Sequence, residues 1–131
     1  MRKKIDLIFA ALALVILPAF FTVASADAFC VYNDTDKVLF VQQTGGGKIA
    51  SFGGFIARNL QPGENKCCNW QDKDCNSEGK RDSIVTFEVN TVPITSHDPP
   101  SIDVCTDFPI KAGGWMTVVG KNNRYTCTAH F

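Results

Sequence analysis

From residue 28 onward, short runs of alternating apolar and polar residues recur along the chain, each closed by turn-forming residues. Eight such runs read as strands: "AFCVYN" (28–33), "KVLFVQQ" (37–43), "SFGGFIAR" (51–58), "NKCCNW" (65–70), "SIVTFEVN" (83–90), "SIDVCT" (101–106), "WMTVVG" (115–120) and "RYTCTAHF" (124–131). In the fifth run Val85, Phe87 and Val89 share one face while Thr86, Glu88 and Asn90 share the other. In the last, Tyr125, Cys127, Ala129 and Phe131 line up against Arg124, Thr126, Thr128 and His130. Between the runs lie "NDTD", "TGGGK", "QPGE", "SHDPPS", "KAGG" and "KNN", where Gly and Asn reach positive φ and Pro presets the backbone of a turn. "Lys121-Asn122-Asn123" reads as a tight hairpin. No stretch of this region shows the i, i+3, i+4 apolar spacing of an amphipathic helix. Half-buried strands at this density predict an all-β fold, a small antiparallel β-sandwich with one wet face per sheet.

The first residues have a different character. Arg2, Lys3 and Lys4 precede a nearly unbroken apolar stretch, and "Ala24-Ser25-Ala26" offers small residues where a signal peptidase cuts. The reading is a cleaved signal peptide over 1–26 followed by one domain, 27–131. A cut after Ala28 and an uncleaved membrane anchor are the alternatives, and Pro18 near the end of the stretch favours cleavage. The chain carries 13 basic and 13 acidic side chains. Without the leader the balance turns slightly acidic and scattered, which offers no basic stripe to follow a phosphate backbone and no polybasic attraction to lipid. Nucleic acid is therefore not an expected partner, and membrane contact is unsupported by charge.

All six cysteines (Cys30, Cys67, Cys68, Cys75, Cys105, Cys127) fall after the leader. An even number behind an export signal reads as a disulfide framework in an oxidising compartment, secreted or periplasmic. Cys67 and Cys68 are neighbours, so in a strand they leave opposite faces and take separate partners. The expected pairing is Cys68 with Cys75, Cys30 with Cys127, and Cys67 with Cys105.

The densest chemistry lies in "CCNWQDKDCNSEG" (67–79). Its CC-x6-C spacing lacks the paired knuckles of a structural zinc site, and no C-x-x-C exists for thiol redox work. Asp72, Asp74, Asn76 and Glu78 place oxygens at every second residue, as in the first half of a calcium loop, but the turn glycine arrives late and Ser83 stands where a bidentate Glu would close the site. The same loop reads more simply as charged and solvated. "TGGGK" fails the phosphate-loop pattern at its first Gly and at Ile49, leaving a flexible loop with an exposed Lys48.

"Ser96-His97-Asp98" names the residue types of a hydrolytic triad, yet sequence neighbours cannot line up as nucleophile, base and orienter. No particular carboxylate pair is marked for glycoside hydrolysis. "Asn33-Asp34-Thr35" is a glycosylation sequon. Phe131 closes the last strand as expected core filling rather than as the final strand of an outer-membrane barrel, whose strands are longer.

Trp70 and Trp115 sit at or beside turns, where an indole either covers the core edge or holds a sugar ring or protein partner. The expectation is an exported binding or structural module that presents Trp70, Asp72, Asp74, Asn76, Trp115 and Lys48 to a glycan or protein, with no cofactor and no catalysis. A membrane-active or toxin-like protein, meeting lipid through apolar loops such as "SFGGFI", is the alternative. A small hydrolase or hydrolase inhibitor comes third.

Overall fold

In the computed structural model, residues 28–131 are described; the expected leader and its cleavage site lie outside them. Eight strands form in chain order: β1 Ala28–Thr35, β2 Leu39–Gly45, β3 Ile56–Leu60, β4 Asn65–Asn69, β5 Ile84–Thr91, β6 Asp103–Lys111, β7 Trp115–Lys121 and β8 Arg124–His130. They make two four-stranded sheets, ordered β4-β1-β7-β8 and β3-β2-β5-β6. Every pairing is antiparallel except β1 with β7, which run parallel in the middle of the first sheet.

Two strand boundaries differ from the sequence pattern by more than two residues. β3 begins at Ile56 rather than at residue 51, because Ala50–Phe52 wind into a 3-10 turn and Gly53 takes φ 93°. β6 continues past residue 106 to Lys111, carrying Asp107 at φ 47° as the extra residue of a bulge. The ladder resumes beyond it, with Phe108 opposite Phe87.

Period-2 alternation decides the core. Phe29 and Val31 of β1, Leu39 and Val41 of β2, Val85, Phe87 and Val89 of β5, and Met116 and Val118 of β7 are buried between the sheets. Phe29, Phe55 and Phe87 meet edge-on, with ring centroids 5.3–5.6 Å apart. Such contacts contribute about 0.5–1.5 kcal/mol each beyond area burial.

Three disulfides cross-link this core, and two of them correct the expected pairing. Cys30 joins Cys67, because β1 and β4 are neighbours and place these two residues directly opposite, with Cα atoms 4.0 Å apart. Cys105 joins Cys127, bridging β6 of one sheet to β8 of the other. Cys68 pairs with Cys75, as the short spacing suggests. The two adjacent cysteines do take separate partners: Cys68 packs against the core, while Cys67 is exposed.

A polar side chain ties the sheets together at the far end. Asn33 is fully buried; its amide donates to Lys37 O and Leu60 O (2.8 Å each), and its Oδ1 accepts from the Thr35 N–H at 3.0 Å and the Thr35 hydroxyl at 2.7 Å. The sequon reading fails for this reason, since the folded chain leaves Asn33 no room for a glycan. Beside it the predicted hairpin forms, with Asn122 at φ 55° and Asn123 at φ 60°. Asp36 clamps that hairpin by accepting from Tyr125 OH at 2.8 Å and Asn122 N at 3.2 Å. The tyrosine bond first, then the backbone bond, hold the Asp36 carboxyl below its ordinary value of 3.8. Desolvation first, then that same bond, push the Tyr125 hydroxyl above 10.0.

Asn33→Ala is expected to destabilise the protein by about 3 kcal/mol, because buried carbonyls and the Thr35 donors lose partners worth about 1–3 kcal/mol each. Urea unfolding measures it, and a loss below about 1 kcal/mol would contradict the node. Asp36 has a depressed folded pKa, so its contribution is present above the unfolded value and is lost as pH falls through the lower folded one. Asp36→Asn is accordingly expected to flatten the acid limb of a stability–pH curve below about pH 4, and an unchanged slope would remove the clamp.

Candidate functional site

The strand directions bring one end of each sheet together. The starts of β1, β3, β5 and β7 and the ends of β2, β4, β6 and β8 lie at the same end of the sandwich, with the long connections 46–55 and 70–83 and the short corner 112–114. Every residue expected to make contact (Lys48, Trp70, Asp72, Asp74, Asn76 and Trp115) belongs to this loop end.

The two long loops are built onto each other. Lys48 N donates to Asp74 O and Ser77 N donates to Gly46 O, both at 2.8 Å. The buried Gln43 amide donates to Cys75 O at 2.7 Å from beneath. Lys48 Nζ lies 2.6 Å from Asp74 Oδ1, a half-exposed pair worth less than about 1 kcal/mol. Gly47 is the close-contact point, since a Cβ there would stand 2.6 Å from Cys75 O and 2.8 Å from Asp74 O. "TGGGK" is therefore a pinned loop rather than a flexible one, and its lysine is committed to a carboxylate.

Within 71–79 the polar groups mostly serve the loop itself. Asp72 Oδ1 accepts from Asp74 N at 2.9 Å, and Asp72 O accepts from Cys75 N and Asn76 N. Asn76 is fully buried; its amide donates to Lys80 O at 2.8 Å and its Oδ1 accepts from Ser83 Oγ at 2.7 Å. Asn76 is thus a scaffold residue, neither a surface contact nor a free oxygen for a cation beside Asp72, Asp74 and Glu78. Among the described residues, no three His, Cys, Asp or Glu side chains converge. Trp70 packs against the core.

Of the two expected tryptophans, Trp115 is the exposed one. It stands in a row across the outer face of the first sheet: Cys67, Cys30, Trp115 and His130 are successive cross-strand partners. The indole, 39% exposed, stacks on the His130 ring with centroids 5.1 Å apart and planes 11° from parallel. His130 Nε2 and the Thr117 hydroxyl share a hydrogen bond of 2.8 Å.

Of the other exposed apolar side chains of this end, the sequence pattern pointed to Phe52 alone, within the apolar loop "SFGGFI". Phe52 and Phe131 are each 73% exposed, and Ile49 and Ile84 about half. Phe131 corrects the expectation of core filling. β8 is an edge strand in which no residue is fully buried, and the Phe131 ring stands outside with the Lys111 ammonium 3.7 Å from its centroid. For Phe52, the visible signal was "SFGGF", where two glycines separate an exposed ring from the buried Phe55.

The triad-like sequence lies at the opposite end, in the β5–β6 loop. Asp98 Oδ2 accepts from Ile94 N and Thr95 N at 2.8 Å each, and these bonds hold its carboxyl below 3.8. That carboxylate shapes a turn and does not orient His97.

Comparison with protein families, with curated proteins and with solved structures finds no match to this chain.

Gly47→Ala is expected to cost about 1–3 kcal/mol, the range of an overpacked contact, and to increase proteolytic nicking within 46–55 and 71–79. A variant with wild-type stability and cleavage would show that the loops are not docked.

Proposed function

We propose that this chain is an exported, disulfide-stapled β-sandwich interaction module that docks a protein partner with its loop end. One observation carries the reading. Of seven exposed large hydrophobic side chains among the described residues, five (Ile49, Phe52, Ile84, Trp115 and Phe131) belong to this end. Around them lie charges of both signs: Lys48, Lys73, Lys80, Arg81 and Lys111 against Asp72, Asp74, Glu78 and Asp82. Apolar anchors within a mixed polar rim are the anatomy of a protein interface. The pinned loops lower the ordering entropy that binding would otherwise cost. Three intramolecular disulfides are typical of extracellular or periplasmic proteins, and the leader-like N-terminus agrees with export.

The exposed Ile49 and Phe52 also favour the membrane-active reading. Its weakness is electrostatic, because four acids accompany five bases at this end and would meet anionic headgroups. Affinity capture from the protein's own surface or extracellular fraction, beside co-sedimentation with neutral and anionic vesicles, separates the two. Phe52→Ser is expected to weaken retention of the captured protein at least about tenfold with unchanged melting temperature, whereas Ile94→Ser at the far end leaves it intact. Sedimentation with vesicles that Phe52→Ser abolishes would replace the protein-docking reading with the lipid one.

A further inference from the structure

A second site lies on the outer face of the other sheet. Along β2 and β3 the ladder pairs Leu39 with Leu60 and Val41 with Ala57, so the single residue Phe40 opposes both Arg58 and Asn59. This is a β-bulge. The extra residue breaks the period of two and leaves Arg58 and Asn59 both exposed between buried Ala57 and Leu60. On the other side of β2, Phe40 pairs directly with Asn90 of β5. Phe40, Arg58, Asn59 and Asn90, with Pro93 and Ser101 of the β5–β6 loop, line an open cleft of about 450 Å³. That volume falls within the roughly 300–1,000 Å³ of small-ligand sites.

The groups around this cleft are chemically incomplete. Arg58 forms no ion pair among the described residues. Asn90 Oδ1 is shielded from water and accepts no hydrogen bond, an uncommon state for a buried polar atom. The Asn90 amide is held only by a 3.3 Å bond from Nδ2 to Glu88 Oε1, so it can turn toward a better partner. Ser101 Oγ donates to Thr91 O at 2.7 Å, which leaves its lone pairs free. The cleft therefore offers a half-buried aromatic ring, a guanidinium without an ion pair, the exposed Ser101 hydroxyl and, once the Asn90 amide turns, one acceptor that lacks a donor.

We propose that this cleft binds a pyranose ring bearing a carboxylate, the hexuronic acid unit of an acidic saccharide. The C–H face of the ring lies on Phe40, its hydroxyls donate to Asn90 and Ser101, and its carboxylate takes the Arg58 fork, whose planar geometry matches it. An apolar peptide side chain on Phe40 would leave the amide and hydroxyl acceptors without donors. The cleft lies toward the far end of the sandwich, so this assignment is independent of protein docking at the loop end.

Calorimetric titration of the disulfide-bonded protein with trimers of galacturonate and of glucuronate, beside neutral galactose and glucose trimers, tests it. At least one acidic trimer is expected to bind ten times more tightly than its neutral counterpart, with affinity falling as salt is raised. Arg58→Gln, at an exposed position, is expected to erase that difference with unchanged melting temperature. Backbone amide shifts in NMR are expected at Phe40, Arg58 and Asn90, while the loop end stays still. No binding of any trimer, shifts confined to the loop end, or an Arg58→Gln variant that binds as tightly as wild type would overturn the proposal. Equal binding of neutral and acidic trimers would overturn the role given to Arg58.

Discussion

A sandwich of two four-stranded sheets has four edge strands and two open seams, and the rest of this structure depends on how those seams close. Unpaired strand edges cost buried hydrogen bonds and invite pairing with other chains. At one seam β6 and β8 lie side by side and Cys105–Cys127 joins them covalently. The other seam has no cross-link between sheets. There the β3–β4 turn folds back onto β1, with Gly63 N donating to Asn33 O and Asn33 N donating to Glu64 O, and the Asn33 side chain reaches Leu60 O and Lys37 O in the second sheet. Lys66 adds a hydrogen bond from its ammonium to Ile56 O across the same gap. A covalent bond at one seam and a saturated carboxamide at the other keep the faces at fixed spacing, which a short chain with a thin core needs.

Closing the seams leaves the loop end to be held separately, and the third disulfide serves there. Cys68–Cys75 spans only seven residues of sequence, so in the chain-entropy view it restricts the unfolded chain less than the longer links do. Its larger consequence is positional. It draws the 71–79 loop onto the core, where Gln43 grips Cys75 O and the glycine loop can lie against Asp74. Gln43 Oε1 stays buried without a partner, a local cost accepted in making that joint. The exposed apolar side chains of the two long loops are thus mounted on segments already held in place by hydrogen bonds.

How much of this was legible in the sequence depended on whether the information was local. The alternation of Val85, Phe87 and Val89, and the paired asparagines before Arg124, specify a strand and a hairpin by themselves, and both are present. Disulfide pairing is different, because it follows from which strands become neighbours. β1 lies between β4 and β7, distant in sequence and one of them parallel, so nothing near Cys30 pointed to Cys67. Phe131 misled for a related reason: alternation says which residues share a face, and only the strand's place at an edge says that the face is wet. Asn76 fitted the spacing of a cation loop because side chains that close turns draw on the same Asn and Asp as those that bind metals. The Arg58–Asn59 bulge was written in the chain as two consecutive polar residues between Ala57 and Leu60, but only the opposing Phe40 gives that irregularity a meaning.

The polar residues that first looked like chemistry are largely consumed by the fold. Asn33 and Asn76 are buried and saturated, Asp98 caps its own turn, and Asp74 holds Lys48. A small domain can spare few polar groups, since each turn it makes exposes backbone donors that a nearby side chain must satisfy. What the fold leaves unspent is the better guide to function. Those remainders are apolar side chains that found no place in the core, most of them at the loop end, and the Arg58 guanidinium beside the unsatisfied Asn90 amide on the second sheet. Binding is the reading under which both leftovers acquire a physical reason.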